Sequence, residues 1–367
     1  MRSAARFSLF CLILSLSPWA APTRAAEEGE TSRYVSGSKP LPPFPADENA
    51  FTIVVIPDTQ TYLGKGCKQT PDSEDPVTNP NLAAQIDWIL SHQADQRIAF
   101  VSHVGDIVDK NRPEEWAVAR QHLDRLRGVV PFGLTVGNHD MEGDGDASLF
   151  QAEFPADRFT NYPWYLGRFS RPGKKQDVSV NNVNSAQVFT AGGLDFLHLN
   201  LECNAPEDVV EWANDLLERH SNRRAIITTH MDLGIIKKPK DKEGYIRDPK
   251  GRMQWTKIHG KEGNDAEQLW KKLYRRHANL GLICSGDQSR VTALREVRTG
   301  DHGNPVVSLL SDYLSLPVLR LMRFVPSENE IQVLTYDVAQ GVLVEDSTYV
   351  HDPIQHQFSV PYGMSLR

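Results

Sequence analysis

The chain has 367 residues, 40% of them hydrophobic, with 47 acidic against 40 basic side chains and a formal charge of −7. So acidic a balance makes it a poor general nucleic-acid binder, because phosphate backbones demand a basic face. Four cysteines are too few for a disulfide framework, and the length suits one large domain with a substantial core.

Residues 1–25 read as a secretory signal peptide. Arg2 and Arg6 precede an apolar stretch over 7–16, and Thr23 and Ala25 are the small residues before the cleavage point. The stretch is too short to span a bilayer, and no cysteine follows it where a lipid anchor would need one. Removing it takes Arg2, Arg6 and Arg24 and no acid, which makes the mature chain more acidic. Residues 26–50 carry Pro40, Pro42, Pro43 and Pro45 and read as a linker ahead of a domain spanning 51–360.

An apolar run over 51–56 ends in Pro57, Asp58, Thr59 and Gln60. Another over 98–101 runs into His103, Gly105, Asp106 and Asp109. A third over 129–136 ends in Gly137, Asn138, His139 and Asp140, and a fourth over 225–229 ends in His230. Helices are expected over 81–96, 113–127, 206–220 and 264–277 from apolar residues at helical spacing; Leu82, Ile86 and Ile89 mark the first. A fifth run, 280–285, leads into Gly286, Asp287, Gln288 and Ser289. Beyond it the pattern turns strand-rich, over 291–297, 306–310, 319–324 and 331–336.

Apolar runs separated by helix-length segments read as buried parallel strands. In open α/β sheets the residues just past the strand ends gather in one crevice. Carboxylates, an amide and imidazoles brought together there suit Mn, Fe, Zn or Mg. Taken singly, Asp58 and Asp106 could equally cap helices; the ordered set favours a metal site. His103 reads as a core histidine or as facing away from the crevice, and Asp140 as a residue that orients the Asn138 loop.

The order Asp-x-Gln, Gly-Asp-x-x-Asp, Gly-Asn-His-Asp, His resembles the calcineurin-like metallophosphoesterase superfamily. The resemblance covers roughly residues 51–312 and implies an α/β four-layer sandwich of two mixed β-sheets flanked by helices. By resemblance, two divalent metal ions (Mn, Fe, Mg or Zn) lie at the strand ends. Asp58 binds the first, Asp106 bridges the two, and Asn138 and His230 bind the second. His139 is the leaving-group proton donor, and Asp109 orients its imidazole. A metal pair roughly 3.5–4 Å apart can lower the pKa of a bridging water and neutralise phosphoryl oxygens.

Two departures from the family pattern matter. Gln60 stands where the family usually carries histidine and could ligate through its oxygen. Asp287 and Ser289 replace both histidines of a Gly-His-x-His motif. Asp287 falls where the first should be and could ligate, whereas a neutral serine is a poor ligand. The set Asp58, Gln60, Asp106, Asn138, His230 and Asp287 is therefore oxygen-rich and shifts preference toward Mn or Mg. His302, in a turn between late strands, is a further candidate ligand or simply a turn residue.

Two irregular segments flank the motifs, 61–80 and 231–263. The second carries Lys237, Lys238, Lys240, Lys242, Arg247, Lys250, Arg252, Lys257 and Lys261, and reads either as a solvated surface loop or as a guide for a phosphorylated substrate. The expected function is a secreted metal-dependent phosphoesterase cleaving phosphate mono- or diesters of a phosphorylated small molecule or related substrate. The alternative is a non-catalytic descendant that binds metal or phosphate. A nuclease is disfavoured by charge and export.

Overall fold

The computed structural model describes residues 33–170 and 177–364; the expected signal peptide lies outside them. Two sheets organise the chain. The first runs in the order Val342–Leu343, Glu330–Asp337, Val318–Val325, Phe51–Ile56, Ile98–His103, Phe132–Leu134, with Phe358–Pro361 also pairing on Glu330–Asp337. The second runs Ala293–Thr299, Pro305–Ser311, Leu280–Ser285, Arg224–Thr229, Leu194–Leu201, Ser185–Ala191, Tyr165–Arg168. In the first sheet the parallel strands Phe51–Ile56, Ile98–His103 and Phe132–Leu134 form one side and antiparallel strands the other; in the second, parallel strands fill the middle and antiparallel strands the margins.

Side-chain alternation along the strands turns two sheets into four layers. Ile53 and Val55 point inward to meet Ile226, Leu282 and Leu309 of the other sheet, with Phe51, Phe196 and Phe324 packed ring against ring. Val54 and Ile56 point outward onto Leu82, Ile86 and Ile89 of the helix Pro80–Ser91 and Trp116 of the helix Pro113–Leu123. Leu197, Leu199, Ile227 and Ile283 do the same against Glu207–Arg219 and Ala266–Lys272. Strands buried on both faces read as continuous apolar runs. This is the expected mixed α/β architecture.

Several details depart from the sequence reading. The stretch over 264–277 is a short helix closed by a 3₁₀ turn at Tyr274–Arg276. Three strands, Tyr165–Arg168, Ser185–Ala191 and Leu194–Leu201, carried no expectation. The segment 231–263 is ordered: Leu233–Ile235 pairs with Lys250–Arg252 around a short helix, Gly244–Arg247. In the described part of the Pro-rich stretch, Val35–Ser36 pairs with Asp346–Ser347, and the carbonyls of Pro42 and Pro43 accept from Arg323. Cys67, Cys203 and Cys284 are buried free thiols.

Candidate metal centre

Each motif residue stands just past the C-terminal end of a parallel strand. Asp58 follows Phe51–Ile56, Asp106 follows Ile98–His103 and Asn138 follows Phe132–Leu134, all in the first sheet. His230 follows Arg224–Thr229 and Asp287 follows Leu280–Ser285, both in the second. Contacts join the two groups across the sheets. His230 Nε2 lies 3.1 Å from Asp106 Oδ1 and 3.5 Å from Asp287 Oδ1, and the backbone N–H of Asp287 donates to Asp58 Oδ2 at 3.2 Å. The other ring nitrogen of His230 bonds the carbonyl of Val104 at 2.9 Å, which aims Nε2 at the acids.

The backbone is shaped around these groups. Asp106 and Asp287 hold positive φ angles of 48° and 77°, uncommon for residues other than glycine. A Cβ on Gly137 would stand 2.2 Å from Asp106 Oδ1, and one on Gly286 2.1 Å from Asp58 Oδ1, so glycine lets both carboxylates lie against main chain.

The acids are crowded. Burial, then Asp312, pushes the Asp58 carboxyl well above its ordinary range. Asp312 itself is pushed up to about 7 by burial and by Asp106 and Asp287. Burial would raise Asp106 too, but His230 outweighs it and holds that carboxyl below the ordinary range. His230 in turn is raised: burial works against its charge, and Asp106 overcomes it.

Ligand atoms of Asp58, Asp106 and His230 all lie within 4.8 Å of one another, and all three residues are buried. Asp58 Oδ1 is buried with no hydrogen-bond partner, and His230 Nε2 faces only the carboxylates of Asp106 and Asp287. Unsatisfied buried polar atoms are costly in a native structure; here one belongs to a carboxylate grouped with two further ligand residues. Two carboxylates and an imidazole form a donor set suited to a divalent cation, so the residues fit the metal that the resemblance implies.

Gln60, Asn138, His139, Asp109 and Asp287 lie around this trio, and His302 does not. Gln60 Nε2 donates to Asp106 Oδ2 at 3.0 Å, and the backbone N–H of His139 donates to Asp106 Oδ1 at 2.9 Å. His139 is exposed at the rim, its Nδ1 2.7 Å from the backbone carbonyl of Asp109 and 3.9 Å from that residue's carboxylate. Asp140 accepts from the N–H groups of Val108 and Gly137 at 3.0 and 2.8 Å, which ties the two motif loops together. His103 is buried and bonds Thr59 Oγ1 and the N–H of Gly105, both at 3.1 Å. His302 is exposed in its turn and bonds the carbonyl of Arg276.

Sequence reasoning missed four residues here. Lys257 Nζ donates to Asn138 Oδ1 at 3.1 Å and also to Asp287 Oδ1; it belonged to the basic loop, but nothing marked it among nine cations. Asp312 follows the strand Pro305–Ser311, so the strand-end rule that found Asp58 could have found it. Gln288 Nε2 donates to Asp287 Oδ2 at 2.8 Å. Glu115 reads as a helix-start acid, yet its buried carboxylate accepts from the N–H groups of Asp109 and Lys110 at 2.9 and 2.8 Å. No sequence signal announces that contact.

The profile of the calcineurin-like phosphoesterases matches residues 51–288. The chain belongs to that family. A Bacillus subtilis (strain 168) relative, the uncharacterized protein YvnB, is 24% identical over 317 residues, covering 83% of this chain; the chain spans only 21% of the relative's length. Similar solved structures include a 5′-nucleotidase precursor from Thermus thermophilus, at 14% identity and TM-score 0.41, covering 80% of this chain and 53% of that one. The Haemophilus influenzae NAD nucleotidase NadN aligns at 11% identity and TM-score 0.41, with 80% and 48% coverage. GAP50 of the Plasmodium inner membrane complex aligns at 12% and 0.43, with 84% and 92% coverage. Among the described residues of this family member, no helix is long and apolar enough to cross a membrane.

Proposed function

We propose that this chain is a metal-dependent phosphoesterase that hydrolyses phosphate mono- or diesters after export on residues 1–25. One observation carries the reading: Asp58 Oδ1, buried with no hydrogen-bond partner, stands with the buried Asp106 and His230 beside the exposed imidazole of His139. Asp58, Asp106 and His230 would hold at least one divalent ion, and an oxygen-rich set favours Mn or Mg. When bound, the ion supplies charge neutralisation at a phosphoryl oxygen and acidifies an attacking water. Gln60 and the N–H of His139 keep Asp106 in place through their hydrogen bonds. With Nδ1 donating to the Asp109 carbonyl, Nε2 of His139 is left to pass a proton to the leaving oxygen.

The test is metal analysis of the purified protein, then a phosphoester panel after chelation and readdition of Mn, Mg, Fe or Zn. Hydrolysis restored by Mn or Mg supports the reading. A protein that retains metal yet turns over no phosphoester points to the second reading, a binding descendant, which the replacement of both motif histidines by Asp287 and Ser289 favours.

A further inference from the structure

Among the described residues, Lys257 is the one cation of the basic segment that touches the motif residues. Its Nζ donates to Asn138 Oδ1 at 3.1 Å and to Asp287 Oδ1. By resemblance those two positions serve the second ion and not the first. Only a quarter of the lysine side chain reaches solvent, and the backbone beneath it is fastened. The N–H groups of Lys257 and Ile258 both donate to Asn204 Oδ1, at 2.8 and 3.2 Å. His259 Nε2 lies 2.9 Å from the buried carboxylate of Glu202. By contrast, Lys237, Lys238, Lys240, Lys242 and Lys261 are exposed, and Arg252 is buried in a separate pair with Asp232.

We propose that the ammonium of Lys257 takes the place of the second cation, so that the centre works with one divalent ion and one fixed organic cation. This rests on the phosphoesterase reading for its use, but not for its test. The substitutions agree with it. A histidine in place of Asp287 would offer a neutral imidazole, suited to a metal; a carboxylate pairs with an ammonium by a charge-assisted hydrogen bond. An ammonium has three donors. Two are taken by Asn138 and Asp287, and the third is free to meet a phosphoryl oxygen in the crevice, as a positive clamp on developing charge. The single ion then sits with Asp58, Asp106 and His230. A second divalent ion among Asn138, Asp287 and His230 would have to displace an ammonium already bonded to two of them.

The experiment is a Mn²⁺ titration of the metal-stripped full-length protein, followed by elemental analysis and electron paramagnetic resonance. Wild type is expected to bind one ion per chain, with an isolated Mn²⁺ spectrum. Lys257→Met is expected to bind two, with the spectrum of an exchange-coupled pair, and Lys257→Arg to stay at one. Two ions in wild type, or one in Lys257→Met, overturns the proposal. Should Lys257→Met fail to fold, the wild-type count decides: one supports it and two overturns it. A wild type that binds one ion and hydrolyses nothing leaves this assignment standing and removes the phosphoesterase reading instead.

Discussion

At the scale of single residues, His139 has one ring nitrogen anchored and one free. Its backbone N–H holds Asp106 while its side chain stands at the rim, so His139→Ala keeps the N–H and loses only the imidazole. It is expected to retain metal and lose turnover by about 10²–10⁴-fold, the usual worth of a general acid. The loss should be smaller for p-nitrophenyl esters, whose leaving group needs little protonation; equal losses across leaving groups would remove the proton-donor role. The anchor is the carbonyl of Asp109, with the carboxylate standing back at 3.9 Å. Asp109→Asn should therefore cost far less than the roughly 10⁴-fold that follows when a carboxylate fixes a catalytic imidazole. Glu115→Ala should cost more than Asp109→Asn, because it frees the N–H groups of Asp109 and Lys110 and lets the anchoring carbonyl move. The reverse order in kcat would return the positioning role to the Asp109 carboxylate.

At the scale of elements, the centre depends on turns that follow strands closely. Gly286→Ala places a methyl 2.1 Å from Asp58 Oδ1. The expected result is a loss of about 1–3 kcal/mol from overpacking, together with weaker metal binding as Asp58 is pushed aside. A variant with wild-type melting temperature and Mn²⁺ affinity would show that the turn can yield. The same closeness explains what was legible in the sequence. Doubly buried parallel strands such as Phe51–Ile56 and Leu280–Ser285 are unbroken apolar runs, and the candidate ligands Asp58 and Asp287 stand just past them. The hairpin Ser185–Ala191 and Leu194–Leu201 was overlooked although its turn is Gly192-Gly193, both with positive φ, a strong hairpin signal. Its inner face carries His198, Asn200, Ser185 and Gln187, bonded to one another or to Thr228, and these polar residues break the apolar pattern. Segment 231–263 looked irregular because its order comes from distant partners, such as Asn204 and Glu202 under Lys257 and His259. Lys257 was invisible for the same reason, since a side chain that crosses the site leaves no local pattern; Glu115 bonds nearby backbone in a loop that no periodicity marks.

At the scale of the whole molecule, the inter-sheet core sets an acid limit on stability. His198 is buried between the sheets, bonded to Thr228 and packed on Phe100, and burial alone lowers its pKa from 6.5 to about 3. A histidine depressed in this way stabilises the fold fully above 6.5. That contribution is lost as pH falls from there toward 3, because the unfolded chain binds the proton first. The integrated effect is on the order of 3–5 kcal/mol. His198→Gln should flatten the fall of melting temperature between pH 7 and 4; an unchanged slope would place the acid sensitivity elsewhere. The order of strands has a different consequence, for how the chain comes to be folded at all. Phe51–Ile56, which presents Asp58, is enclosed between Ile98–His103 and Val318–Val325. The family match ends at residue 288, before that second neighbour. While only residues up to 288 exist, the first strand keeps an open apolar edge, the condition that promotes aggregation. A fragment ending there should be insoluble or melt without cooperativity, whereas a soluble, sharply melting one would show that the sheet closes without Val318–Val325. Synthesis must therefore pass Val318–Val325 before the first strand is fully paired. A chain whose first strand waits for Val318–Val325 stays open to chaperones and proteases until that strand has been made.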